Sequence, residues 1–237
     1  MRLYCLIFAF VNLLSTTVYG QETPRFAFTF SAGPSVSLRK IAEKITPSPR
    51  AQLAGNGLAG QIGLDARLWK AIGLTARVNY NQNETRKEPL EVQAGYYNLT
   101  NLDITAQKWS GFSLMAGPTL TKHWGVFGLQ GRLLAGYVMV NSPQFTINGL
   151  LGNRAARIEA DSKQGQDIAY GAGATVFINL SKKFGLVINS DATYTNVEFA
   201  EVVTRVTLNN GVTTPITTTE SQNVGILNIT GGLRFSF

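Results

Sequence analysis

Eight stretches of the sequence alternate apolar and polar residues, and this alternation constrains the fold more than any other feature. Side chains on a β-strand point to opposite faces in turn, so a period of two predicts a strand with one apolar and one polar face. The stretches cover residues 26–38, 58–68, 72–80, 112–120, 127–139, 168–180, 184–194 and 227–237. The alternation therefore predicts an all-β fold of eight strands.

The segments that connect these strands are alternately long and short. Long polar segments run over 39–52, 81–107, 141–164 and 196–222, and short turns lie at 69–71, 121–125 and 181–183. Neighbouring antiparallel strands joined in this rhythm are typical of an up-and-down barrel, in which the first and last strands pair to remove both sheet edges. We predict an eight-stranded antiparallel up-and-down transmembrane β-barrel with short periplasmic turns and long extracellular loops.

The membrane part of this prediction depends on which kind of segment in this chain could cross a bilayer. After Gly20, no apolar run reaches the roughly 18 residues of a membrane helix. Hydrocarbon contains no hydrogen-bond partners, so the alternative to helices is a sheet that closes on itself. The opposite reading is a soluble secreted ligand-binding barrel, whose apolar faces would point inward. The scarcity of charge on the polar faces favours the membrane, because a water-facing exterior is usually rich in Lys and Glu.

Aromatic residues fall at the two ends of the predicted strands, as expected of girdles at the membrane interfaces. Those expected at the outer ends are Tyr80, Tyr137, Tyr170 and Tyr194. Those expected at the inner ends are Trp69, Trp124, Phe127, Phe184, Phe235 and Phe237. Two prolines, Pro34 and Pro118, interrupt strands in the same Ala-Gly-Pro context. Because proline cannot donate to a ladder, we predict a β-bulge at each, with a break in the strand as the alternative.

The first twenty residues predict a cleavable signal peptide. Met1-Arg2 is a short basic start, an apolar stretch follows, and small residues precede Gln21. The mature protein would be a single barrel domain of residues 21–237. Cys5 is the only cysteine and lies in the signal peptide. We therefore expect neither a disulfide nor a thiolate metal site in the mature chain.

Seven charged residues fall on the polar faces that should line the barrel lumen: Asp65, Arg67, Arg77, Arg132, Asp167, Asp191 and Arg234. Charges inside a narrow barrel must pair or pay a large desolvation penalty, so we predict a salt-bridged network that plugs the lumen. A selectivity ring in a narrow channel for ions or small solutes is the alternative.

The residue inventory argues against catalysis, cofactors and nucleic acid. His123 is the only histidine and lies in a short inner turn, so no Ser-His-acid group can form at the outer rim and no metal site is expected. The net charge of +7 is spread over short turns and isolated positions instead of forming a basic stripe. We expect no enzyme activity, no cofactor and no nucleic-acid partner.

The long connections are where a specific function is expected. The last two strands should continue beyond the membrane as a hairpin that turns at Asn209-Asn210-Gly211. A protruding strand edge can recruit an extracellular protein or surface ligand by strand addition. A merely solvated rim explains the same residues equally well.

The last strand resembles the C-terminal signal of bacterial outer-membrane barrels, with Thr230, Gly232, Phe235 and Phe237 in the polar, glycine and aromatic places. Together with the alternation and the loop rhythm, it makes residues 21–237 resemble the small eight-stranded outer-membrane barrels of Gram-negative bacteria, of the OmpX type and the OmpA transmembrane domain. The resemblance implies an integral outer-membrane protein that contacts lipid, is inserted by the barrel-assembly machinery and has an envelope-structural or adhesion-type role. It implies no tethering to the cell wall, since no peptidoglycan-binding domain accompanies the barrel.

Overall fold

A computed structural model describes residues 25–38, 53–96, 98–208 and 213–237. The predicted signal peptide, most of the first long connection and the turn at Asn209-Asn210-Gly211 lie outside the described residues. The strands are β1 (Phe26–Ser37), β2 (Ala54–Trp69), β3 (Ile72–Thr85), β4 (Leu99–Ala106), β5 (Trp109–Trp124), β6 (Phe127–Asn141), β7 (Phe145–Leu151), β8 (Arg154–Ala160), β9 (Gln164–Asn179), β10 (Phe184–Leu208) and β11 (Thr213–Ser236). One helix, α1 (Glu88–Tyr96), lies between β3 and β4.

Eight of these strands form a closed antiparallel ring. Its order is β1-β2-β3-β5-β6-β9-β10-β11, and β11 pairs back to β1 with Ala27 opposite Ser236. The backbones of Phe26 and Phe237 exchange two hydrogen bonds of 3.0 Å where the ring closes. The predicted eight-stranded up-and-down barrel is therefore confirmed.

The short connections of the ring all lie at one end, which we call the inner end; the opposite end is the outer end. Two residues separate β2 from β3 and β5 from β6, and four separate β9 from β10. The first two turns use positive φ angles, 40° at Lys70 and 60° at Gly125. A two-residue hairpin needs such angles to match the twist of its strands, and glycine adopts them at least cost.

The two faces of the ring differ as the alternation predicts. Phe30, Leu133 and Ile188 point outward and are 56%, 64% and 62% exposed. Their strand neighbours point inward and are mostly small or polar, apart from Leu134 and Val187, and Thr29 and Asn189 are almost completely buried. The apolar side of the sheet is thus its outer surface, which is the reverse of a soluble ligand-binding barrel.

The same sheet extends beyond the barrel at the outer end, a feature not predicted from the sequence. β10 extends beyond the barrel, pairs there with β8, and the sheet continues through β7 to β4. On its other side the extended β10 pairs with the first half of β11, up to Thr207 opposite Thr213, which confirms the predicted hairpin extension. We call α1, β4, β7, β8, residues 197–208 and residues 213–222 the cap. No helix among the described residues is long and apolar enough to cross a bilayer.

The cap has an apolar interior. Side chains from α1 and from all of its strands except the β11 segment are buried together: Leu90, Ala94, Leu99, Ile104, Phe145, Ile147, Ala156, Ala160, Val197, Phe199 and Val202. Trp109 joins them from the start of β5, with its ring 6.2 Å from that of Phe199. The same cluster includes Leu134 and Val138, which lie in the part of the lumen nearer the outer end. Burial of these side chains fixes the cap on the barrel mouth.

The predicted β-bulges at Pro34 and Pro118 are wrong. At each proline the ladder to one neighbouring strand omits two residue pairs and then resumes without any shift in register. The preceding glycine explains why no bulge is needed. A Cβ at Gly33 would lie 2.2 Å from the Ile229 carbonyl oxygen, and one at Gly117 would lie 2.0 Å from that of Leu133. The glycine lets the strands approach closely, and the proline ring points outward.

Candidate functional site

The centre of the lumen holds two buried ion pairs, and the first joins Arg77 to Asp65. Arg77 is completely buried, and its Nη2 donates to both carboxylate oxygens of Asp65 at 2.9 and 3.2 Å. Nη1 donates to the Thr29 hydroxyl at 2.6 Å, and Nη2 also reaches the Gln130 side-chain oxygen at 3.3 Å. One guanidinium group therefore links β1, β2, β3 and β6 across the barrel.

The second ion pair joins Arg132 to Asp191 in a bidentate arrangement. Nε and Nη2 of Arg132 donate to the two carboxylate oxygens at 2.7 and 2.6 Å, and Nη1 donates to the Thr175 hydroxyl. Asp191 also accepts a 2.7 Å hydrogen bond from Nε2 of Gln61 on the far side of the lumen. A bidentate, charge-assisted contact of this kind is strong and directional, so it holds β2, β6, β9 and β10 in one register.

Amide and hydroxyl side chains fill the lumen around the ion pairs. Asn189 accepts from the Thr175 hydroxyl at 2.6 Å and donates to Ser31 at 3.1 Å. Nearer the outer end, the amides of Asn81 and Asn228 bind each other through two hydrogen bonds of 3.2 Å. These contacts leave a cavity of about 60 Å³ on the outer side and one of about 30 Å³ on the inner side. The ion pairs lie between the two cavities and close the lumen.

Glycines of the polar face make room for the buried arginines, and sequence reasoning missed this role. A Cβ at Gly63 would lie 1.8 Å from Nη1 of Arg77, and one at Gly173 would lie 1.9 Å from Oδ1 of Asp191. Gly128 serves a third site, where a Cβ would lie 2.1 Å from the Phe177 ring. The sequence does contain a signal for this role. It is a glycine at an inward position of one strand, when the neighbouring strand carries a charged residue.

Replacing Gly173 with alanine is expected to weaken the Arg132–Asp191 pair, because the new methyl group would occupy the position of the carboxylate. Overpacking of this kind typically costs about 1–3 kcal/mol. The matched control is Gly131→Ala on the adjacent strand, where a Cβ would meet nothing within 4 Å. Urea unfolding of the reconstituted barrel should show a lower midpoint for Gly173→Ala alone. Equal midpoints for the two variants would contradict the assigned role of Gly173.

The remaining predicted lumen charges occupy different positions. Arg67 is half-buried and borders the inner cavity, and Arg234 is buried beside Phe177. Asp167 does not join the network: it is exposed near the outer end, where the β9–β10 ladder omits two pairs, and accepts a 2.6 Å hydrogen bond from the backbone N–H of Ile168. The omitted pairs let this carboxylate stay in solvent, which avoids a desolvation penalty.

The predicted girdle residues lie near the two ends of the barrel strands. Tyr80, Tyr137 and Tyr170 are exposed at the outer end, and Tyr194 pairs with Tyr170. At the inner end Trp69, Phe127 and Phe184 are exposed, and Trp124 is half-buried. The residues of the predicted assembly signal also have clear positions. Thr230 shares a 2.9 Å hydrogen bond with Ser31, Gly232 lies against the Phe30 carbonyl oxygen, and Phe235 and Phe237 pack on Phe184 and Phe26.

The closed ring and its apolar exterior together define the architecture. The chain has the fold of a small eight-stranded outer-membrane β-barrel. Within its described residues, no group of three or more His, Cys, Asp or Glu side chains is placed to hold a metal ion.

Comparisons with known proteins give structural neighbours but no sequence relatives. Neither protein-family models nor curated protein sequences give a match. Neisserial surface protein A is similar at 12% identity, over 90% of this chain and 97% of that one, with a TM-score of 0.44. The attachment invasion locus protein Ail of Yersinia pestis, solved with the heparin analogue sucrose octasulfate, is 14% identical over 90% and 99%, with a TM-score of 0.45. A major outer membrane protein of Thermus thermophilus is 12% identical over 90% and 99%, with a TM-score of 0.45.

Proposed function

We propose that the protein is an integral outer-membrane barrel that presents a non-catalytic binding surface, the cap, outside the cell. The observation that carries the membrane assignment is the outward apolar face of a closed ring. A water-soluble protein rarely exposes a continuous apolar surface of this size, whereas a bilayer requires one. Lipid of the outer membrane would be its first partner.

The height of the apolar surface fits a bilayer. On β6, Phe127 of the inner belt and Tyr137 of the outer belt are ten residues apart. Ten residues span about 33 Å along a strand, and a tilt of about 40° reduces this to about 25 Å along the barrel axis. The apolar band of an outer-membrane barrel is also about 25 Å tall. The two aromatic belts would then lie at the two interfaces.

The closed lumen supports an interaction role over conduction. The two ion pairs fill the centre of the lumen, where Asp65 accepts from Arg77, and Asp191 accepts from Arg132 and from Gln61 across the lumen. An ion crossing the lumen would have to break both pairs, and breaking a buried pair is costly. Among the described residues, the two ion pairs therefore favour a closed lumen over the narrow-channel alternative.

The cap offers a strand edge to a partner. Leaving Thr218 aside, the described residues of the β11 segment 213–219 pair only with β10, and the side chains of the segment are exposed on both faces of the hairpin. An edge strand with unpaired backbone groups can bind an extended peptide segment of an extracellular protein by strand addition. The threonine-rich sequence Thr213-Thr214-Pro215-Ile216-Thr217-Thr218-Thr219 suits a strand at such an edge.

The same proposal includes insertion by the barrel-assembly machinery through the last strand. Phe235 and Phe237 both face outward at the inner end, where a partner protein could contact them before lipid does. Thr230 and Gly232 point into the lumen and support the packing of the strand.

The binding role is tested by placing lysines on the hairpin edge, since an edge lysine opposes strand addition. Bacteria that display Thr217→Lys/Thr219→Lys should attach less to wells coated with extracellular-matrix proteins than bacteria that display the unchanged chain. The matched control is Val92→Lys/Tyr96→Lys, which adds the same charge to exposed positions of α1, where the two side chains are 60% and 83% exposed. Attachment should be unchanged in this control.

Two checks belong to that experiment. A Thr217→Cys variant, reacted on intact cells with a thiol reagent that does not cross membranes, should be labelled if the cap lies outside. Each lysine variant should migrate on SDS gels at different positions before and after boiling, which shows that its barrel is folded. Equal attachment by the edge and helix variants would exclude the hairpin edge as the binding surface.

A further inference from the structure

Exposed charges are distributed unevenly between the two ends of the barrel. Four exposed cations lie at the inner end, and we call them the basic rim: Arg25, Lys70, Lys182 and Lys183. In the described part of the chain, the aspartate or glutamate nearest this end is Asp65, which is buried and paired with Arg77. The exposed and half-buried carboxylates of that part all lie at the outer end or in the cap. The inner end is therefore strongly positive.

The cations of the outer side differ because many of them have partners. Four ion pairs lie there: Arg86–Glu88, Lys108–Glu84, Arg157–Glu159 and Arg205–Asp161. No cation of the basic rim pairs with a carboxylate of the described residues. Clustered charges of one sign repel one another and create a potential that attracts the opposite sign. The basic rim therefore has the chemistry of a surface that binds anions.

The basic rim extends along much of the barrel circumference. Arg25 directly precedes β1, Lys70 lies in the β2–β3 turn, and Lys182 and Lys183 lie in the β9–β10 turn. These positions follow six neighbouring strands of the ring, from β9 through β10, β11, β1 and β2 to β3. The backbone carbonyl groups of Arg25 and Lys183 each accept a 2.8 Å hydrogen bond from a neighbouring strand, which fixes both residues on the barrel. Such an arrangement fits a surface that surrounds the barrel better than a compact partner on one side.

An outward aromatic ring accompanies each part of the basic rim. The adjacent residues are Arg25 and Phe26, Trp69 and Lys70, and Lys183 and Phe184. The three aromatic side chains are 45%, 65% and 52% exposed, and Nζ of Lys70 lies 5.4 Å from the centre of the Trp69 ring. Aromatic rings of membrane barrels lie where hydrocarbon meets the headgroups, and long cationic side chains reach from there into the polar layer. The cations would then lie at the level of lipid phosphates.

We propose that the basic rim binds the phosphate groups of anionic phospholipids in the inner leaflet of the outer membrane. This inference rests on the membrane assignment of the proposed function. Lysine binds phosphate as a compact point charge, and arginine does so through paired donors. Each cation close to an anionic lipid surface raises the affinity about fivefold. The aromatic rings at the same level favour a lipid surface over a cell-wall polymer, which would contact only the tips of the turns.

Two of the three tryptophans lie beside the basic rim and can report on its lipids. Trp69 and Trp124 are at the inner end, whereas Trp109 is buried with the cap. The complete refolded protein is placed in equimolar vesicles of phosphatidylglycerol and phosphatidylcholine, with bromine on the acyl chains of one lipid or the other. Bromine quenches tryptophan fluorescence on contact. We expect a several-fold preference for phosphatidylglycerol, which should fall at high salt because exposed charges are screened.

Two variants locate the effect. Lys70→Gln/Lys182→Gln/Lys183→Gln should quench equally with either brominated lipid. The matched control, Lys87→Gln/Lys108→Gln/Arg154→Gln, removes the same charge from exposed positions of the outer side and should keep the preference. Migration on SDS gels before and after boiling shows whether each variant is folded, and the salt dependence of the unchanged protein tests the proposal without any variant.

The outcomes separate this inference from the membrane assignment. Equal quenching of the unchanged protein by the two brominated lipids would overturn the lipid role of the basic rim and leave the barrel in the membrane. Quenching by neither lipid would refute both. Equal quenching together with sedimentation on purified peptidoglycan, lost in the inner lysine variant, would overturn the proposal in favour of the cell wall as the partner.

Discussion

Replacing Asp191 with asparagine is expected to lower the free energy of unfolding by about 3–5 kcal/mol, the usual cost of leaving one partner of a buried ion pair alone. Asparagine keeps the shape of the side chain but removes the negative charge that Arg132 and Gln61 now contact at 2.6–2.7 Å. Arg132 is 4% exposed and cannot reach water without moving the strands apart. Unfolding in urea, followed by the gel shift of the folded barrel, measures the loss.

Two comparisons isolate the cause of this loss. The double variant Arg132→Met/Asp191→Leu removes both charges, so it should recover most of the stability lost by the single variant. Asp161→Asn breaks the ion pair with Arg205 in the cap, where both side chains are partly exposed, and should change the midpoint far less. If Asp191→Asn were no more harmful than Asp161→Asn, the lumen pair would not be the rigid centre described above.

Placing arginine at Leu133 is the second change with a large expected effect. Leu133 lies on β6 between Phe127 and Tyr137, near the middle of the outward apolar surface, and is 64% exposed. If hydrocarbon covers this surface, an arginine there should cost about 2–4 kcal/mol, as expected at the midplane of a bilayer. The measurement is urea unfolding of the barrel reconstituted in lipid vesicles.

The control for Leu133→Arg is Ile216→Arg in the cap hairpin. Ile216 is also apolar and 49% exposed, but the proposed arrangement places it in water. Its replacement should leave the midpoint unchanged, since surface substitutions away from special features have small effects. Equal tolerance of arginine at both positions would mean that lipid does not surround the barrel, and the outer-membrane proposal would fail.

The eight barrel strands could be predicted because one face of each strand points outward and the other points into the lumen. Each of these two environments is uniform along the strand. Phe26, Phe28 and Phe30 face outward while the residues between them are buried, so the environment of each face can be read from a period of two. The pairing of β1 with β11 followed from closure alone, since a barrel has no edge to leave open.

The cap could not be predicted in the same way. β7 and β8 each contain seven residues, and β8 pairs with β10, and β7 with β8, in registers that no local pattern specifies. Their buried side chains, such as Phe145 and Ala156, pack on a helix and strands from three different connections. The sequence therefore predicts segments 81–107 and 141–164 only as polar connections.

The sequence predicts the four paired residues of the lumen site but not their pairing. The alternation placed Asp65, Arg77, Arg132 and Asp191 on the inner face, yet which arginine meets which aspartate depends on the stagger of the strands around the ring. Asp167 was misplaced because the irregular ladder between β9 and β10 has no counterpart in the sequence pattern.

The seam between β1 and β11 also determines how the barrel can form. Ala27 is opposite Ser236, a residue 209 positions later in the chain, so the contacts at this seam are among the least local in the molecule. Closing so long a loop costs entropy before any contact is gained, and folding rates fall as contacts become less local. Until the seam closes, the lumen is not sealed from water. Arg77 therefore cannot donate its hydrogen bond to Thr29 in an interior from which water is excluded. Formation of the seam should therefore be the slow, late step of folding, with desolvation of the arginines following it.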